Sequence, residues 1–173
     1  MTASGKPARP LGVLVDTNVW VDYFVAGRLG HADAVAFIKL AWRESVQLLY
    51  PISALQDVFA VLIMEFKREA RAIREVDEAC MATVRRIAWG CVDSIRDGAT
   101  AVGADESDAW LACKYRKINW DLEDNMVLAA AKRVGADYLV TSDRTLISKA
   151  NVAALRPADM AALLEEMGSG LFA

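Results

Sequence analysis

Short apolar runs of strand type alternate along this chain with longer stretches whose apolar residues recur at three- and four-residue spacing. Residues 11–15 form the first run. They are stopped by Asp16-Thr17-Asn18, whose side chains suit a helix start, and residues 19–25 continue as a short helix. Gly27 and Gly30 break it, and residues 31–44 read as a helix with Ala34, Phe37, Ile38 and Ala41 on one face. Residues 47–52 are the second strand. Residues 53–69 follow as a helix, with Ser53 and Gln56 in capping-box spacing, and a long helical stretch covers residues 73–96. A short strand is expected over 100–102 and a helix over 105–115. An alanine-rich helix over 121–134 ends at Gly135, and a buried strand spans 138–141. A weak strand over 152–155 precedes a helix opened by Pro157. Strands alternating with helices predict an α/β fold around a mainly parallel sheet.

Composition bounds the picture. At 173 residues and 55% apolar, the chain suits one domain with a real core. Residues 1–10 read as a loose leader, 11–167 as the domain and 168–173 as a frayed tail. The longest apolar run, residues 58–64, is far too short to span a membrane, and the N-terminus lacks the apolar stretch of a signal peptide, so a cytoplasmic protein is expected. Cys80, Cys91 and Cys113 form no CxxC pair and read as buried small hydrophobes. His31, the one histidine, suits a capping or surface role, which leaves zinc and histidine-based catalysis without residues. A net charge of −3 argues against nucleic-acid binding driven by overall charge. Arg68, Arg71 and Arg74 still form a possible local strip, as do Lys114, Arg116 and Lys117, although a solvated helix face explains both.

The informative residues are acids where apolar residues belong. Asp16 ends the first strand, and Asp143 follows the strand over 138–141 in the same way. In a parallel sheet the carboxyl ends of the strands line the ligand crevice, so two such acids can face one site. Asp57 falls at helical spacing with Ser53, Ala54, Ala60, Val61 and Met64, a stripe expected to pack inward. A structural acid paired with an arginine is the bland alternative there. Asp121 and Asp124 open the alanine-rich helix, where a cap and a dipole partner explain them equally. Asp124 also heads the apolar column of Val127, Leu128 and Ala131, which ranks it above Asp121 as a ligand. Asp121 ranks in turn above Glu123, which is expected to point elsewhere. Converging carboxylates without histidine or thiolate select a hard cation, magnesium or manganese. Two carboxylates about 5 Å apart repel by roughly 3 kcal/mol at an effective dielectric of 20, so a divalent ion would relieve an ionised cluster. It would also suit hydrolysis of a phosphodiester by activated water.

Three segments, VLVDTNVW at 13–20, DLEDNMVLAAA at 121–131 and GADYLVTSD at 135–143, resemble the PIN-domain ribonucleases, including the toxins of VapBC-type toxin–antitoxin pairs. The likeness runs from about residue 11 to 160. It implies a three-layer α/β/α sandwich around a sheet of about five strands. It also implies Mg2+- or Mn2+-dependent cleavage of single-stranded RNA, a homodimer, and a small antitoxin partner. Carried over by position, the resemblance makes Asp16, Asp57, Asp124 and Asp143 catalytic and metal-binding acids, with Asp121 an auxiliary ligand. Thr17, Asn18 and Ser142 become supporting residues. Asp57 stands where the family usually has a glutamate, and Glu65 farther along the same helix is the fallback. The shortened side chain keeps open a second reading, a non-catalytic RNA-binding or assembly module on the same fold. A phosphatase of the haloacid dehalogenase type would want a second Asp where Asn18 stands. Trp20 and Trp120 lie close in sequence to the proposed acids and are the tryptophans best placed to stack on bases.

Overall fold

The computed structural model describes residues 9–170. Eight helices and five strands follow one another along them. The strands are β1 (Gly12–Val15), β2 (Gln47–Pro51), β3 (Thr100–Val102), β4 (Tyr138–Val140) and β5 (Ala154–Leu155). All pair in parallel, in the order β3-β2-β1-β4-β5. The helices are α1 (Thr17–Phe24), α2 (His31–Arg43), α3 (Ala54–Arg71), α4 (Glu78–Gly98), α5 (Glu106–Tyr115), α6 (Leu122–Val134), α7 (Arg144–Lys149) and α8 (Pro157–Gly170).

Strand alternation divides the core into two layers. Val13 and Val15 of β1, Leu48 and Tyr50 of β2 and Val140 of β4 pack on one face with residues of α1–α4 and α8. Leu14, Leu49, Val102 and Leu139 point to the other face, against Tyr115 of α5, residues 127–131 of α6 and Leu146 of α7. The result is the expected α/β/α sandwich. β1 is central, and the chain order reverses between it and β4, so a switch point lies at their carboxyl ends.

Several local expectations change. Helix α4 starts at Glu78 rather than residue 73, because the Asp77 side chain accepts the Cys80 N–H at 2.7 Å and sets the first turn there. Ser53 makes no capping hydrogen bond and has helical dihedrals. The inward stripe of α3 is Ala54, Val58 and Leu62; of the expected stripe only Ala54 is buried, Val61 is half-buried, and Ser53, Ala60 and Met64 are exposed. Asp57 thus flanks the buried stripe and is half-buried. Helix α7, unassigned from the sequence, is fixed by its Asp143 cap. Cys113 is exposed while Cys80 and Cys91 are buried. The expected leader lies outside the described residues up to residue 8. Arg9 is anchored to Asp137 at 2.5 Å, and α8 continues to Gly170 through part of the expected tail. No described helix is long and apolar enough to cross a membrane.

Candidate active site

Asp16 occupies the N-cap of α1 directly after the central strand and is 6% exposed. Its Oδ1 accepts the Thr17 backbone N–H at 2.8 Å. Its Oδ2 accepts from Asn18 Nδ2 at 2.8 Å and from the Thr141 hydroxyl at 2.7 Å. Burial nonetheless pushes its carboxyl up to about 6, against the pull of the Thr141 and Thr17 hydrogen bonds, and the charges of Asp124 and Asp143 add to the rise.

The support of Asp16 also ties the two central strands' ends together. Asn18 Nδ2 donates to Thr141 Oγ1 at 3.1 Å, and Asn18 Oδ1 accepts the Ser142 backbone N–H at 2.9 Å. Thr141 is fully buried, and its Oγ1 accepts the Asp143 N–H at 3.0 Å. Asp143 in turn caps α7, its Oδ1 accepting the N–H groups of Thr145 at 2.6 Å and Leu146 at 3.2 Å.

The third side is the start of α6. Asp121 is its N-cap and accepts the N–H groups of Glu123 at 2.9 Å and Asp124 at 3.2 Å. Asp124 is half-buried above the buried Val127, Leu128 and Ala131, and its Oδ2 accepts from Asn119 Nδ2 at 2.7 Å. Burial raises its pKa, as do Asp121 and Asp143, while Asn119 and Lys149 oppose the rise. Asn119 is buried and accepts the Asp121 N–H and Lys149 Nζ, each at 3.3 Å.

These elements enclose a cleft of about 190 Å³ whose wall includes Asp16, Asn18, Asp121, Glu123, Asp124 and Arg28. Glu123 does not point elsewhere: it lines the cleft beside Asp121 and Asp124. Partial desolvation raises its pKa, followed by the charges of Asp57, Asp16, Asp121 and Asp124. Asp57 therefore reaches the acid cluster beside Glu123 but does not line the cleft. Asp143 does not line the cleft but is close enough for its charge to act on both Asp16 and Asp124. Trp20 is buried in the core and is not available to bases, whereas Trp120, next to Asp121, is 86% exposed.

Glu65, the fallback acid, is committed elsewhere. Arg28 Nε donates to Asp22 Oδ1 at 2.5 Å and Arg28 Nη1 to Glu65 Oε1 at 3.0 Å. Asp22 is 3% exposed and also accepts the Ser142 hydroxyl at 3.0 Å. His31 does not cap α2, whose N-cap is Gly30; its Nδ1 lies 2.9 Å from the Asp22 backbone oxygen. Sequence reasoning missed Thr141, Asn119 and Asp22, and turned Glu123 away from the site. The available signals were a threonine closing an apolar strand and an asparagine two residues before Asp121.

Among the described residues, no group of three or more acids, histidines or cysteines is arranged to hold a metal ion. The donor chemistry nevertheless fits a hard cation. The acidic donors of the cluster are carboxylate oxygens, with no histidine or thiolate among the described residues of the wall. Burial pushes Asp16 and Asp124 toward protonation, helped by Asp124 and Asp143 at Asp16 and by Asp121 and Asp143 at Asp124.

The sequence profile of the PIN domain matches residues 12–145. No curated protein matches the chain by sequence. Similar solved structures include PAE2754 from Pyrobaculum aerophilum, with 18% identity, 90% of each chain covered and a TM-score of 0.58. VapC20 of Mycobacterium tuberculosis, described as a sarcin–ricin loop cleaving toxin, has 15% identity and a TM-score of 0.56, with 79% of this chain and 93% of that one covered. VapBC2 from Rickettsia felis, bound to a DNA fragment from its promoter, has 11% identity and a TM-score of 0.54, with 83% and 97% covered. At these identities the structures share the fold. The profile match spans most of the domain, from β1 to the start of α7, and the chain belongs to the PIN domain family, whose members are generally nucleases.

Proposed function

We propose that this protein is a Mg2+- or Mn2+-dependent endoribonuclease that cuts single-stranded RNA in the cytoplasm as the toxin of a toxin–antitoxin pair. The observation that carries the reading is the approach of Asp124, in the first turn of α6, and Asp143, just after β4, to the buried Asp16 at the end of β1, whose pKa both of them raise. Asp16, Asp124 and Asp143 would hold the ion, with Asp57, Glu123 and Asp121 nearby. A bound divalent ion supplies an activated nucleophile and charge neutralisation for phosphodiester hydrolysis. The chain's own contribution is positioning: Thr17, Asn18 and Thr141 fix both oxygens of Asp16, and Asn119 orients Asp124. Ser142 connects this frame to Asp22 through its hydroxyl and to Asn18 through its N–H. The VapBC and VapC relatives support a small antitoxin partner, and a homodimer is part of the same proposal.

The test is incubation of purified protein with single-stranded RNA in EDTA, then with magnesium or manganese. Metal-dependent cutting that is lost in Asp16→Asn and Asp143→Asn is expected. RNA binding without cutting in any divalent metal would favour the non-catalytic module, a reading to which the aspartate at position 57 lends support.

A further inference from the structure

A second, larger groove of about 670 Å³ adjoins the acid cleft, and Arg28 lines both. Its wall also carries Arg68, Arg144 and Arg156, together with Ser142, the neighbour of Asp143. Three of these arginines are engaged. Arg28 is held by Asp22 and Glu65, Arg68 by Glu65 at 2.6 Å, and Arg156 by Asp159 at 2.9 Å. Arg144 is exposed and has no ion pair among the described residues. Of the acids of the wall, Asp22 and Glu65 serve the pairs just named, and no ion pair joins Asp33 to Arg144.

Arg28 is the built element. Two carboxylates, one of them 3% exposed, fix its Nε and Nη1, while its side chain stays 33% exposed. A guanidinium has five N–H donors in a rigid fork, so this clamp leaves donors aimed away from Asp22 and Glu65. Anchored arginine beside unpaired arginine, one step from an acid cluster, matches a phosphodiester oxygen better than a small organic ligand.

We infer that this groove seats a phosphate of the RNA strand next to the one being cut, with Arg144 as its main contact and Arg28 linking it to the acid cleft. The inference rests on the nuclease reading above and names how that site holds its substrate. It makes Arg144 and Arg28 substrate-positioning residues and leaves the chemical step to the acids.

The experiment measures binding of a short fluorescein-labelled single-stranded RNA to the full chain in EDTA, by anisotropy, from about 50 to 200 mM salt. Arg144→Ala should weaken binding roughly tenfold at low salt and reduce the slope of log affinity against log salt by about 0.7. Arg28→Lys, which keeps the charge but not the fork, should also weaken binding. Arg96→Ala, in an exposed pair with Asp93 on α4, should match wild type and so controls for loss of one positive charge. Wild-type affinity and salt slope in Arg144→Ala overturn the inference, and the nuclease reading survives if wild type still cuts with magnesium. Binding that depends on Arg144 in a protein that never cuts overturns the nuclease reading and leaves the phosphate seat. Wild-type protein that holds no RNA at low salt overturns the seat.

Discussion

The Thr141 hydroxyl donates to Asp16 Oδ2 at 2.7 Å and is itself fully buried between the ends of two adjacent parallel strands. The same oxygen accepts the Asp143 N–H, so one side chain sets the spacing of the first and last acids of the proposed site. Thr141→Val keeps the shape and removes both of these bonds and the one from Asn18 Nδ2. It should cost about 1–3 kcal/mol in urea unfolding and lift the Asp16 carboxyl further, whereas Thr141→Ser should retain most of both. A valine variant as stable as wild type would remove Thr141 from the frame.

Asp16 predicts a pH dependence of known sign. Its carboxyl is raised from 3.8 to about 6 in the fold, so the native state binds the proton more tightly than the unfolded chain. Its contribution to stability is therefore most favourable below about pH 4, falls as pH rises through about 6, and is flat above. The shift corresponds to roughly 3 kcal/mol across that window. Chemical denaturation of metal-free protein at several pH values should show this fall, and Asp16→Asn should flatten it.

Asp121 and Asp124 should separate cleanly. Asp121 accepts two N–H groups of α6, and Asp121→Ala should cost about 1 kcal/mol as a lost cap. The Asp124 side chain accepts from Asn119 Nδ2 and is not the cap of α6. Asp124→Asn should leave stability unchanged or slightly higher by removing a repelling charge, and should abolish cleavage. A fully active Asp124→Asn enzyme would exclude it as a ligand.

Magnesium or manganese should raise the melting temperature, since either would relieve the repulsion among Asp16, Asp124 and Asp143. At a hundredfold excess over the dissociation constant the gain is about 2.7 kcal/mol, or roughly 5–10 °C for a chain of this size. Thermal scans in chelator and then metal check it, and equal shifts in Asp16→Asn and Asp143→Asn would place the ion elsewhere.

Gly30 is required by packing against Asp22, because a Cβ there would run into the Asp22 carboxylate. Arg28 and Ser142 hold that carboxylate in place, so it has little room to yield. Gly30→Ala should cost about 1–3 kcal/mol, measurable by denaturation, and should weaken RNA binding through Arg28.

Much of the fold is legible because strand runs such as Val13-Leu14-Val15 before Asp16 and Tyr138-Leu139-Val140 ahead of Asp143 are apolar on both faces, as a covered parallel sheet requires. The acids at their ends stood out against that background. Asp124 was legible from its column over Val127 and Leu128. The inward face of α3 was not, since Val58 and Val61 fit either stripe and only packing on α1 and α4 selects Val58. Glu123 was lost for a related reason: helical phase places it off the apolar column, but at a first turn the approach of the opposite wall decides what faces the cleft. Nor does any local pattern announce the joint between Asn18 and Thr141, which are remote in sequence and meet only through the pairing of β1 with β4.

That pairing has a consequence for synthesis on the ribosome. β4 is the fourth strand made, yet it takes its place beside the first, and β1 waits with one edge open until residues 138–140 have emerged. Before then Asp16 lacks Thr141, the Ser142 N–H is missing from Asn18, and α6 has no β4 to close the layer. Contacts of such long sequence separation form late and slowly. A nascent chain of this protein is therefore without its acid cluster until nearly all of it exists, so an unfinished chain cannot assemble the proposed site.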